Sequence, residues 1–110
     1  MKKRSAANKP PRLLTIETLL KLGAGTHCEG LRVFEREWPS GAELTRENIF
    51  RAAAYLEIPV FEWYAERTLP ARVLAKLDRD VDREWRAQDM TMNAYYAIRA
   101  AGLCEAFRAA

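Results

Sequence analysis

The sequence predicts an all-α protein: a compact bundle of five to six short helices with one longer helix over about residues 71–88. Three observations carry that expectation. Apolar residues recur every three to four positions in most of the chain, at the spacing of one helix face. Helix-start and helix-stop residues punctuate those runs. No stretch of four or more residues alternates apolar and polar in the manner of a strand, and β-branched residues are sparse.

The elements follow in order. Pro10-Pro11 closes a basic leader, and Thr15–Leu22 reads as a short helix with Thr15 as its N-cap and Gly23 placed to end it in a left-handed conformation. Thr26-His-Cys-Glu29 has the form of a capping box, in which Thr26 and Glu29 each satisfy the other's backbone N–H. The helix it starts places Leu31, Phe34 and Trp38 on one face and stops at Pro39-Ser-Gly41. Thr45 caps the next helix, with Ile49, Phe50, Ala53 and Leu56 as its apolar face. Ile58-Pro59 breaks that run, and Pro59 suits the first turn of a helix over Val60–Leu69. Leu74, Leu77, Val81, Trp85 and Gln88 then follow helical spacing across Ala71–Gln88. Met90-Thr-Met-Asn forms a joint, and Ala94–Ala101 and Leu103–Ala109 make one or two terminal helices around Gly102.

Residues 1–12 form a basic, flexible tail and residues 13–110 a single helical domain. The 110 residues are 49% apolar and 30% charged, an ordinary globular balance. The formal charge of +3 is unevenly placed. Lys2, Lys3, Arg4, Lys9 and Arg12 lie in the tail without an acid, so 13 basic residues face 15 acidic ones elsewhere, a net charge near −2. No apolar run is long enough to cross a bilayer, and no apolar stretch follows the basic start as in a secretory signal. Cys28 and Cys104 make no disulfide framework, and reduced thiols in a cytosolic protein are expected.

The stretch Leu19–Gly41 holds the sole histidine and Cys28, and it invites a catalytic reading, because the first turn of a helix favours a thiolate. Adjacent helical residues point about 100° apart, however, so His27 is not aimed at Cys28, and no second histidine exists to serve as base. No catalytic residue is therefore expected. No metal site or cofactor is expected either: one His and two Cys lack the paired spacing of a zinc site. Asp78, Asp80, Asp82 and Asp89 imitate a calcium loop, but Arg83 stands where glycine is needed and Asp89 replaces the bidentate Glu. Pairing of Asp82 with Arg86 and of Asp80 with Arg83 along a solvated helix face accounts for these acids.

Two binding chemistries remain. Trp and Arg dominate protein–protein hot spots, and Phe34-Glu-Arg-Glu-Trp38 and Asp82-Arg-Glu-Trp-Arg86 interleave them, so Arg36, Trp38, Arg83, Trp85 and Arg86 are the candidate partner-binding residues. Ile49–Arg67 loosely has the form of a helix-turn-helix, with Glu57 where the turn commonly carries glycine. Its second helix offers Glu62 and Glu66 beside a single Arg67, whereas major-groove readers use Arg, Lys, Asn or Gln. In this alternative the tail cations Lys2, Lys3, Arg4, Lys9 and Arg12 contact the polyanion.

Leu22-Gly-Ala, Cys28-Glu-Gly-Leu-Arg-Val-Phe34, Trp38-Pro-Ser-Gly41 and Trp63-Tyr-Ala-Glu-Arg-Thr-Leu-Pro70 together resemble a segment of small phage and prophage helical proteins of unassigned function, over about half the chain. Those proteins tend to read Leu-Gly-Ala-Cys, Gly-Leu, Phe and Pro-x-Gly; here Gly25-Thr26-His27 is inserted before the Cys. The resemblance implies a helical fold and a mobile-element origin, and it transfers no catalytic residue. A non-enzymatic protein–protein interaction module is the expected function, one that binds and inhibits a host protein complex in the manner of an anti-CRISPR inhibitor. The alternative is a small DNA- or RNA-binding regulator using residues 49–67 and the tail.

Overall fold

The computed structural model describes residues 12–25, 29–88 and 91–110, with the side chain of residue 88 outside that description. Within them the fold is an all-α bundle of six helices: α1 (Ile16–Lys21), α2 (Glu29–Glu37), α3 (Arg46–Ala54), α4 (Val60–Thr68), α5 (Ala71–Gln88) and α6 (Met92–Ala109). The tail residues Lys2, Lys3, Arg4 and Lys9, the capping-box residues Thr26, His27 and Cys28, and Asp89 and Met90 lie outside the described residues.

The local signals act as their chemistry requires. Thr15 Oγ1 accepts from the Thr18 N–H at 3.2 Å, and Thr45 Oγ1 accepts from Asn48 at the same distance. At the end of α1, Gly23 takes φ +105°. Its N–H reaches Leu20 C=O while Ala24 N–H reaches Leu19 C=O, so the last carbonyls are satisfied in a Schellman arrangement. After α2, Gly41 takes φ +101° and closes a turn onto Trp38 C=O at 2.9 Å.

Three features depart from the sequence expectation. A two-residue ladder joins β1 (Leu13–Leu14) to β2 (Ala42–Glu43) antiparallel, with Leu14 opposite Ala42. Two residues are too few to show alternation, so periodicity could not reveal it. On α3 the buried residues are Ile49 and Ala52, not Ala53; the face is rotated toward α6, against which α3 makes its main contact. The terminal segment takes the one-helix form of the expectation, but α6 runs 18 residues through Gly102 and so matches α5 in length, where the sequence predicts a single longer helix. A Cβ at Gly102 would overlap the Leu77 side chain, so the glycine lets α5 approach.

α6 is the centre of the bundle. It packs on α3 and on α5, so apolar residues are needed on several sides and the helix has no single polar face. Leu103, Cys104 and Phe107 are buried there, and Leu14, Leu19 and Phe34 complete the core from the first half of the chain. The Cys104 thiol donates to Leu44 C=O at 3.5 Å, so it serves as small core filler. Arg12 Nη2 donates to Phe107 C=O at 2.6 Å, tying the start of the described chain to the last turn of α6, where a cation suits the carbonyl end of the helix.

Candidate functional site

Of the α5 stripe, Leu77 and Val81 are buried, but Trp85 is 38% exposed. Trp85 packs edge-to-face on Tyr95 at 5.5 Å between centroids, and Tyr95 in turn on Tyr96 at 5.9 Å. Met92, at the head of α6, is 54% exposed. An open cleft of about 620 Å³ lies between the two helices. Asp78, Asp82 and Trp85 line it from α5 at helical spacing, and Met92, Tyr95 and Arg99 from α6. A narrower cavity of about 250 Å³ shares Asp78, Tyr95 and Arg99 with it and continues toward Ile49, Ile58 and Phe61.

Arg99 stands where the two spaces meet. Its Nε and Nη2 donate to the two Glu62 carboxylate oxygens at 2.7 and 2.9 Å, a bidentate pair, and its Nη1 donates to Asp78 Oδ1 at 2.6 Å. One guanidinium from α6 thus fastens α4 and α5 together, and its side chain is only 17% exposed. The hydrogen bonds to Glu62 push its pKa up, against the opposing effect of burial and with Asp78 reinforcing them, so it stays charged at every accessible pH. The clamp was not legible in the sequence. Glu62 and Asp78 lie 37 and 21 residues from Arg99, and sequence exposes charge pairs only at the three- or four-residue spacing of one helix.

Such short-range pairs are present as expected. Asp80 accepts from Arg83 at 2.8 Å and also from Lys76 at 2.6 Å, and Arg86 Nε lies 3.1 Å from Asp82 Oδ2. The hydrogen bond from Lys76, and next that from Arg83, hold the Asp80 carboxyl below its ordinary pKa. Asp80 and Asp82 are therefore paired along α5 and Asp78 is paired with Arg99 of α6, while Asp89, the fourth acid of the calcium-loop pattern, lies outside the described residues. Among the described residues, no three His, Cys, Asp or Glu side chains group as a metal site.

The five candidate partner-binding residues fall in two places. Arg83, Trp85 and Arg86 share the outer half of α5, with both arginine side chains more than 70% exposed. Arg36 and Trp38 sit at the end of α2, which packs on α1 and α4. Trp38 belongs to the core rim: its ring lies 5.4 Å from Phe34 and 6.0 Å from Phe61. Arg36 is exposed, with its Nε 3.9 Å from Glu37, whose other oxygen accepts from Arg51 at 2.6 Å. Trp63 is half-buried beneath the Arg67 guanidinium, 3.8 Å from the ring centroid. Trp85 is the most exposed of the three tryptophans; the sequence did not single out Tyr95, its ring partner, or Met92, which lines the same cleft.

The helix-turn-helix segment forms as α3, a short turn and α4. Glu57 in the turn takes φ +55°, the left-handed conformation for which glycine is the usual residue. On α4, however, Val60 and Phe61 are buried, Glu62 is held by Arg99, and Arg67 lies over Trp63. Among the described residues, no helix is long and apolar enough to cross a membrane. The chain matches no known family model, no curated protein and no solved structure.

Proposed function

We propose that this chain is a non-enzymatic protein-binding module that docks a partner protein at the α5–α6 cleft. The observation that carries it is the exposed pair Trp85 and Met92, with half-buried Tyr95, on the walls of an open cleft, and exposed Arg83 and Arg86 on the same half of α5. Tryptophan and tyrosine supply large buried area on association at low entropic cost, arginine adds charged hydrogen bonds, and an aromatic anchor beside a cavity is the usual form of a hot spot. The test is capture of partners from a bacterial extract on the intact protein, beside Trp85→Ala and a control, Tyr55→Ala, whose side chain is exposed elsewhere. A partner whose purified form binds the wild type and the control alike, and Trp85→Ala at least about tenfold more weakly, supports the proposal. Binding that is indifferent to Trp85 in every captured protein refutes it.

A finer form of the proposal rests on the resemblance to small phage helical proteins: action in the bacterial cytoplasm against a host defence complex of the CRISPR kind. Its test is phage plating on a host with an active CRISPR system. Expression of the protein restores plating and Trp85→Ala loses that effect; equal plating with and without the protein refutes it.

The left-handed turn at Glu57 favours a second reading, nucleic-acid binding through α3–α4 and the basic tail. The carboxylates of Glu62 and Glu66 on α4 weigh against it, since they repel phosphates. DNA affinity that falls steeply with salt and is lost when Lys2, Lys3, Arg4 and Lys9 are replaced by Ala would support it.

A further inference from the structure

The outward face of α5 carries a row of cations. Arg72, Lys76, Arg79, Arg83 and Arg86 follow one another at steps of four, three, four and three residues, the period of one helix side, and all five are exposed. The row lies opposite Leu77 and Val81, the buried residues of the same helix, and runs for about 21 Å at 1.5 Å per residue. Two acids border it, and both are engaged: Asp80 with Lys76 and Arg83, Asp82 with Arg86. Arg72 and Arg79 have no hydrogen-bond or ion-pair partner among the described residues. Arg79 also lines the Trp85 cleft, where the other guanidinium, Arg99, is already held by Glu62 and Asp78.

Charge decides what fits. With the cleft wall included, this side of the molecule sets six cations, the row and Arg99, against four carboxylates, Glu62, Asp78, Asp80 and Asp82. Glu84, the remaining acid of α5, lines the groove on the far side of the helix with Val81 and Ile98. The excess falls on Arg72 and Arg79, two planar forks about 10 Å apart along the helix, each shaped to take a carboxylate bidentately. A second copy of this face would set arginine against arginine, and the chain's own basic tail has the same sign. The complement is therefore an anion on another molecule. Residues 13–110 hold 13 basic and 15 acidic residues, so no long-range field gathers a polyphosphate, and Asp80 and Asp82 interrupt the row. A protein segment instead presents carboxylates singly, at the helical period of the arginines.

We infer that the outward face of α5 receives an acidic segment of the partner protein, one Asp or Glu on Arg72 and a second on Arg79, alongside the Trp85 cleft. This rests on the docking reading above and names the chemistry of the partner. The test titrates the full chain with two labelled, blocked helical peptides sharing a Leu face, one with Glu and one with Gln at two positions seven residues apart, and with a single-stranded DNA oligonucleotide. Fluorescence anisotropy reads binding. The chain carries +3 and attracts any anion, so Arg32→Gln, Arg46→Gln serves as the control, removing equal charge from exposed positions on α2 and α3. The Glu peptide binds, loses about tenfold in Arg72→Gln, Arg79→Gln, and stays within about twofold in the control pair. Neither Arg72 nor Arg79 makes a bond within the chain, so the variant keeps the wild-type circular dichroism spectrum and urea midpoint. Failure of the Glu peptide to bind overturns the inference, as do equal binding of the Gln peptide and equal weakening by the two pairs. An oligonucleotide that binds more tightly and itself depends on Arg72 and Arg79 overturns it in favour of nucleic acid. Trp85→Ala separates the two readings. Weakening there, with the arginine pair unaffected, leaves the cleft and overturns the acidic partner; the reverse keeps the acidic partner on α5 and overturns the cleft.

Discussion

Replacing Arg99 by methionine keeps most of the aliphatic volume and removes all three hydrogen bonds that fasten α4 and α5 to α6. Breaking a fully buried ion pair from one side costs about 3–5 kcal/mol. Here the partners are not fully buried: the Glu62 side chain is 35% exposed and that of Asp78 63%, so water takes over part of what Arg99 gave. The expected loss is about 2–3 kcal/mol, most of it from Glu62, whose bidentate pair is the less exposed. For a chain of this size that lowers Tm by roughly 10 °C. Urea and thermal denaturation followed by circular dichroism measure it. The order of the single variants is as informative as the size. Glu62→Gln costs about 1–2 kcal/mol, and Asp78→Asn less than about 0.5 kcal/mol. A loss under about 0.5 kcal/mol for Arg99→Met, or a larger loss for Asp78→Asn than for Glu62→Gln, refutes the clamp as the fastening of α4, α5 and α6.

Three further outcomes follow from the geometry. Gly23 and Gly41 share a positive φ, but a Cβ meets nothing within 4 Å at Gly23, while at Gly41 it comes within 2.9 Å of Leu13 Cγ and 3.2 Å of Leu14 C=O. Gly41→Ala therefore destabilises by about 1 kcal/mol more than Gly23→Ala, read from urea midpoints; equal costs would show that conformation alone matters. Gly102→Val drives a branched side chain into Leu77 and costs about 1–3 kcal/mol; a neutral result would mean that α5 and α6 separate freely. Asp80 titrates below its ordinary pKa in the fold, so its contribution is present above the unfolded value and is lost as pH falls through the folded one. The stability difference between the wild type and Asp80→Asn thus shrinks as pH drops below about 4, and a difference that persists in acid contradicts the pairing with Lys76 and Arg83.

What the sequence disclosed was local. Thr15, Thr45 and Gly23 announce helix ends because a cap is satisfied within four residues, and Leu77 and Val81 announce a buried face because one helix repeats itself. Ala52 in place of Ala53 shows the limit: one residue turns a helix by 100°, and only the position of α6 decides which alanine is covered. Gly102 shows it again, since the same residue ends a helix or admits a neighbour depending on where Leu77 stands. At the candidate site, Trp85 was legible as an aromatic among arginines, but its exposure was not, nor were Tyr95 and Met92 beside it. Those depend on how α6 lies against the outer half of α5, which brings Tyr95 onto the Trp85 ring. Cys28, the most conspicuous residue of the sequence, lies outside the described residues, so its place as a helix-start residue stands as an expectation.

The central place of α6 governs the order in which this chain can become a protein. Every helix it covers precedes it in the sequence, and about 55 residues separate the end of α3 from the end of α6. At a synthesis rate of about 5–20 residues per second, the apolar faces of α3 wait some 3–11 s for their cover. The bundle must therefore close after translation has delivered its last helix, and before then the nascent chain presents Ile49, Leu77 and Val81 to any chaperone within reach.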